Sequence, residues 1–163
     1  MLRLTTLTSI LALSATALFA EEIKVGVSPG EHAEIMEEVA KVAAPMGLDI
    51  DVVEFSDYVI PNTALADGDI QANSFQHVPY LENQMKDRGF DLTVVGNTIT
   101  TPMGIYSDKI KDMADLADGA KVAIPNDPTN GGRALLLLQD LGLVTLTEGT
   151  GLVPSPLDVS DNP

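Results

Sequence analysis

Ile23-Lys24-Val25-Gly26-Val27-Ser28-Pro29-Gly30-Glu31 is the stretch that decides the fold of this chain. Five residues of β character run into a Ser, a Pro and, three residues after the Ser, a Glu. That order is expected where a short strand passes through an N-cap at Ser28, with Pro29 as first helical residue, into a helix. Ile35, Val39, Val42, Ala43 and Met46 then fall on one helical face and Glu34, Glu37, Glu38 and Lys41 on the other, until Gly47 ends the run.

The same unit recurs outward. Asp49 to Phe55 reads as a strand, Asp57 to Asp67 as a helix with Pro61 in its first turn, Ile70 to Phe75 as a third strand and Val78 to Gly89 as a helix. Leu92 to Thr101 has high β propensity and Pro102 to Ser107 continues in extended character, so the stretch reads as a bridge between two lobes. Beyond it, Lys121 to Pro125 is predicted as a strand, Asn126-Asp127-Pro128-Thr129 as turn and cap, and Asn130 to Leu141 as a helix with the apolar run Ala134 to Leu138. Past Leu146 no helical periodicity remains, and the last strand-to-helix unit is left incomplete. The expectation is an α/β protein with a first lobe over residues 21–100 and a crossover plus partial second lobe over 101–163.

Composition narrows the chemistry. With 163 residues, 45% hydrophobic and 20% charged, the chain has the make-up of a globular protein able to bury a core. Its net charge of −15 repels phosphate backbones and anionic lipid, so nucleic acid is not an expected partner. There is no Cys and there are two His, which leaves no thiolate site and little basis for a bound metal. No cofactor is expected. Met1 to Ala20, with Arg3 as its only charge before the apolar run Ile10 to Ala20, reads as a secretory signal cleaved after Ala17 or Ala20. It is shorter than the roughly 20 apolar residues a bilayer span needs. An exported, acidic, soluble protein is expected.

Three segments concentrate residues that a bare fold does not need. Tyr58 follows Phe55-Ser56-Asp57 at the carboxyl end of a strand, where α/β sheets bind ligands. Asn73-Ser74-Phe75-Gln76-His77-Val78-Pro79-Tyr80 gathers two aromatics, a His and two amides, in a chain only 4% aromatic. The alternative for Phe75 and Tyr80 is core packing. Third, Pro125 to Arg133 turns a strand into a helix whose first-turn amides suit an anion. Gly131 and Gly132 would allow close approach, and Arg133 offers a planar fork for a carboxylate. The alternative for Arg133 is a surface ion pair.

Enzymatic readings find thinner support. His32 and His77 are the only imidazole bases, no Gly-x-Ser-x-Gly elbow is present, and Ser28 near His32 or Ser74 near His77 is a chance-level spacing. No Gly-Lys-Ser/Thr follows the glycines, so a phosphate loop is excluded. Asp67-Gly68-Asp69 opens like a calcium loop, but Val78 stands at its twelfth position where a Glu is needed, so a helix-to-strand turn is the better account. A small secreted hydrolase or other enzyme stays open as the alternative, as does an interaction domain using the acidic surface.

Six strings in order resemble one family: Lys24 to Ile35, Val53 to Tyr58, Pro61 to Ile70, Ala72 to Leu81, Pro102 to Ser107 and Val122 to Asn130. Together, over Ile23 to about Leu143, they resemble the NlpA lipoprotein family of methionine-binding components of ABC importers. The resemblance implies a type II periplasmic-binding-protein fold, two α/β lobes joined by extended crossovers and closing on a free amino acid. It implies methionine as ligand, a permease with its ATPase subunits as partners, a monomer in the periplasm and no catalysis. Carried over by motif, Tyr58, Phe75, His77 and Tyr80 would line the thioether pocket and Arg133 would take the carboxylate. Asn73 and Asn130 are weaker candidates for polar contacts or loop fixing. Two departures stand out: the lipidated junction Cys usual in the family is missing, which suggests a freely diffusing form, and the chain is shorter than two complete lobes require.

Overall fold

The structure is a computed structural model that describes residues 21–162; the secretory signal read over residues 1–20 lies outside them. Its organising element is β1 (Glu21–Val27), paired in parallel on both sides. On one side β1 meets β2 (Leu48–Glu54) over its full length, from Glu21 opposite Leu48 to Val27 opposite Glu54. On the other, Val25 to Val27 meet β3 (Ala72–Ser74). The order β2-β1-β3 needs a crossover between each pair, supplied by α1 (Glu31–Ala43) and α2 (Ile60–Asp67). Val25 and Val27 point to one face and pack with Ala33 and Met36 of α1, and Ile23, Ile50, Val52 and Ala72 surround them. Gly26 points to the other, where a Cβ would stand 2.7 Å from Ile70 and 2.9 Å from Phe55. Its missing side chain lets those two lie across the strand.

Two details of the first unit differ from expectation. The helix begins at Glu31, preceded by Gly30 at φ 86, and no side chain caps it, so Ser28 is not its N-cap and Pro29 is not its first residue. The chain first makes a turn whose left-handed position only glycine takes without strain. Nor is the buried face the one marked by the large residues. Ala33 and Met36 pack on the sheet and Ala43 of the predicted face is buried as expected, while Ile35, Val39, Val42 and Met46 are exposed. The helix meets the strands through Ala33 and Met36, and its second apolar stripe is left to one side.

Helix α2 starts three residues later than expected, because Asp57 Oδ1 accepts from Val59 N in a turn ahead of it, with Pro61 in its first turn as anticipated. Gly68 at φ 83 closes it, so Asp67-Gly68-Asp69 is the turn into β3 and not a cation loop. Strand β3 keeps only Ala72 to Ser74, the residues that pair with β1. Helix α3 (Val78–Arg88) ends against Gly89 at φ 72, in agreement with the sequence reading.

Leu92 to Ser107 and Lys121 to Pro125 carry no regular secondary structure and belong to no ladder among the described residues, so the expected fourth strand is not formed. Propensity favours extended backbone, whereas a strand also needs a neighbour to bond. Ile124 still packs on a second core, in which Leu135 and Leu138 of α4 (Pro128–Asp140) meet Leu146. A two-stranded antiparallel sheet, β4 (Thr145–Leu146) with β5 (Val159–Asp161), covers that core. Two separate cores, one beneath α1 and one beneath α4, underlie the two-lobed arrangement.

Candidate functional site

Between the two cores lies a cleft of about 510 Å³. One wall comes from the carboxyl end of the first sheet: the loop after β2 carries Tyr58, and the loop after β3 carries Phe75, Gln76 and His77. The other wall is the first turns of α4, with Asn130 and Arg133. Thr98 to Thr101 and Met103 close one side. The sequence reading treated these as a bridge only. It weighed His32 only as a base, yet His32 also borders the cleft.

The aromatic wall is tightly arranged. Tyr80 is 2% exposed, and the rings of Tyr58, Phe75 and His77 all meet it edge to face, with centroids 5.7, 6.2 and 6.2 Å away. The Tyr80 hydroxyl donates to the Tyr58 carbonyl at 3.2 Å, tying the start of α3 to the loop after β2. Burial raises its pKa, as does the nearby Asp127 charge. Tyr80 is therefore both packing and wall, so the two readings offered for it coincide.

His77 caps α3: its Nδ1 accepts from Tyr80 N at 3.1 Å. A ring nitrogen that accepts carries no proton, so Nε2 bears it and donates to Asn130 Oδ1 at 2.8 Å. Both ring nitrogens are thus engaged, and the Ser74 hydroxyl meets Thr98 Oγ1 at 3.3 Å, so Ser74 and His77 do not form a nucleophile–base pair.

Asn73 does not border the cleft. Its amide nitrogen donates to Asn62 Oδ1 at 3.0 Å and to the Pro61 carbonyl at 3.4 Å, and its oxygen accepts from Gln76 Nε2 at 3.1 Å. Asn62, wholly buried, also accepts from Gln76 Nε2 at 2.7 Å and donates to Gln76 Oε1 at 2.8 Å. Three amides satisfy one another and pin the loop that carries Phe75 and His77. Of the two roles considered for Asn73, the geometry gives loop fixing.

The start of α4 differs from the expected anion seat. Asp127 caps it, its Oδ1 accepting from Thr129 N at 3.1 Å and Asn130 N at 2.9 Å, so a carboxylate of the chain itself already occupies those amides. The two glycines serve backbone packing and not ligand approach. A Cβ on Gly131 would stand 2.8 Å from the Pro125 carbonyl oxygen, and one on Gly132 2.8 Å from Val153 Cα. Arg133 keeps its place as the cation of the cleft. Its Nη1 lies 3.4 Å from Asn130 Oδ1, and among the described residues the one ion pair is Lys41 with Glu38. The surface-pair reading of Arg133 therefore finds no partner here.

Tyr58 reaches across to Asp127 Oδ2 at 3.1 Å. Desolvation, then the hydrogen bond and charge of Asp127, push its phenol up to about 12. For Asp127, burial raises the pKa, but hydrogen bonds from Asn130, Thr129 and Tyr58 outweigh it and hold the carboxyl below its ordinary 3.8. A carboxyl with a lowered folded pKa contributes stability above its unfolded pKa and loses it as pH falls through the folded one. Acid titration from about pH 5 downward, followed by circular dichroism, is expected to show a shallower loss of stability in Asp127→Asn than in the parent. Parallel curves would assign the acid limb to other carboxylates.

Among the described residues no helix is long and apolar enough to cross a membrane, and no three His, Cys, Asp or Glu cluster as a metal site would need.

The sequence model of the NlpA lipoprotein family matches residues 23–163. The D-methionine-binding lipoprotein MetQ of Escherichia coli K12 is 56% identical over 142 residues, 86% of this chain and 52% of that protein. The crystal structure of the methionine binding protein MetQ superposes with a TM-score of 0.84 at 55% identity, covering 87% of this chain and 58% of that one. A nutrient binding protein from Burkholderia cenocepacia bound to methionine gives 0.81 at 48% identity, covering 86% and 60%. The chain spans about half the length of the curated relatives it matches. With these similarities the two-lobed binding-protein fold expected from the sequence holds.

Proposed function

The chain belongs to the NlpA lipoprotein family, and on that premise we propose that it captures free methionine in the cleft and delivers it intact to an ABC importer, meeting a permease and its ATPase subunits. Export to the periplasm and action as a monomer form part of this reading. The observation that carries it is the juxtaposition of the ring wall, Tyr58, Phe75, His77 and Tyr80, with the Arg133 guanidinium across one cleft. A flexible thioether leaving water gains about 1.5–3 kcal/mol, and sulfur against ring edges about 0.3–1.5 more. A guanidinium suits the carboxylate at the other end of the same small molecule. His77, with both ring nitrogens engaged and no serine partner, supports binding in preference to hydrolysis.

Calorimetric titration with L- and D-methionine tests the reading. Saturable heat with either enantiomer supports it; none with both, together with turnover of a small ester or peptide, would turn the assignment to the enzyme alternative. Phe75→Ala is expected to weaken methionine binding by about 2 kcal/mol through lost apolar contact. An unchanged affinity would make Phe75 a packing residue only.

A further inference from the structure

We infer that Asp127 is a positioning residue that locks the ring wall and the guanidinium wall of the cleft in register, a role that rests on the methionine-binding reading above. Its two carboxylate oxygens do different work. Oδ1 serves the helix, accepting from Thr129 N, Asn130 N and Thr129 Oγ1 at 3.1, 2.9 and 2.8 Å. Capping α4 needs nothing more, and a serine or threonine oxygen would supply it. Oδ2 faces the other way. It accepts from the Tyr58 hydroxyl at 3.1 Å and from Asn130 Nδ2 at 3.0 Å.

Each of those two bonds fixes a cleft residue. Tyr58 is 37% exposed, so its ring is not held by burial alone. What orients it is the edge contact with Tyr80 on one side and Asp127 on the other, with Asn126 Oδ1 a longer acceptor at 3.5 Å. Asn130, held by Asp127, turns its Oδ1 to His77 Nε2 and to Arg133 Nη1. One carboxylate thus reaches the phenol across the cleft directly and the imidazole and guanidinium through a single amide. A hydrogen bond to an ionised acceptor is stronger than a neutral one, so this is the firmest side-chain tie across the cleft. Desolvation first, and this hydrogen bond after it, raise the Tyr58 pKa.

The test separates cap from tie. Asp127→Ser keeps an N-cap oxygen but cannot reach Tyr58, and Tyr58→Phe keeps the ring but loses the hydroxyl. On the full chain, both are expected to speed methionine release in stopped-flow measurements, Tyr58→Phe about threefold and Asp127→Ser up to about tenfold because it also frees Asn130, with the double variant no faster than Asp127→Ser alone. Additive effects, or unchanged release in both, would overturn the assignment. A second readout needs no methionine. Ultraviolet titration of the phenols, with Tyr58→Phe as reference, should place Tyr58 near 12 in the parent and shift it toward its ordinary value of 10.0 in Asp127→Ser. An unshifted phenol would overturn the cross-cleft tie itself. A parent that binds no methionine yet shows the shift would refute the ligand, not the tie.

Discussion

Arg133→Ala is expected to weaken methionine binding by about 1.5–3 kcal/mol, roughly 10- to 150-fold, without unfolding the chain. The size follows from what the guanidinium lacks at present. Its one side-chain contact is a neutral amide oxygen at 3.4 Å, and it borders the cleft half-buried, where water screens a charge pair less than on open surface. Truncation leaves the ligand carboxylate desolvated and unpaired, which is where most of the loss arises. Arg133→Lys restores the charge but not the planar fork and should recover only part of the affinity. Isothermal titration with thermal melts of both variants checks this. Full affinity in Arg133→Ala would mean that the carboxylate lies elsewhere.

The largest effect on stability is expected from Asn62→Ala, a loss of about 2–4 kcal/mol in urea unfolding. The side chain is 0% exposed and makes three hydrogen bonds to Asn73 and Gln76. Removing it strands amide groups of both partners where little water reaches, and each orphan costs more than the net value of an ordinary hydrogen bond. Because the same triad holds the loop bearing Phe75 and His77, methionine affinity should fall along with stability. A loss below about 0.5 kcal/mol would show that the triad relaxes or hydrates freely.

How far the sequence discloses these features depends on whether their cause is local. Helix α3 was legible because its start and stop are written in adjacent residues, a proline in the first turn and Gly89 at the end. The cleft residues Tyr58, Phe75, His77 and Arg133 stood out because their chemistry is costly to place idly in an α/β scaffold. The family resemblance implied a shared pocket for them, and the fold brings them to one cavity. Which stripe of α1 faces the sheet was not legible, since two apolar stripes share one helix and periodicity alone does not choose between them. Lys121 to Pro125 has the propensity of a strand but no partner, and propensity cannot report a partner. The triad of Asn62, Asn73 and Gln76 was invisible because its members join a helix, a strand and a loop. Asn126 to Thr129 reads as turn and cap, but which residue caps, and what its second oxygen does, has no signature along the chain.

The placing of β1 in the middle of its sheet bears on the order of assembly. Both of its neighbours arise within the next fifty or so residues, so all three strands of this sheet among the described residues have been made by Ser74. Short loops between pairing segments favour rapid self-organisation, and domains tend to form as the ribosome releases them. The ring-bearing half is therefore expected to be the early-folding nucleus, its strands paired while the guanidinium-bearing helix that orients Tyr58 is still being synthesised.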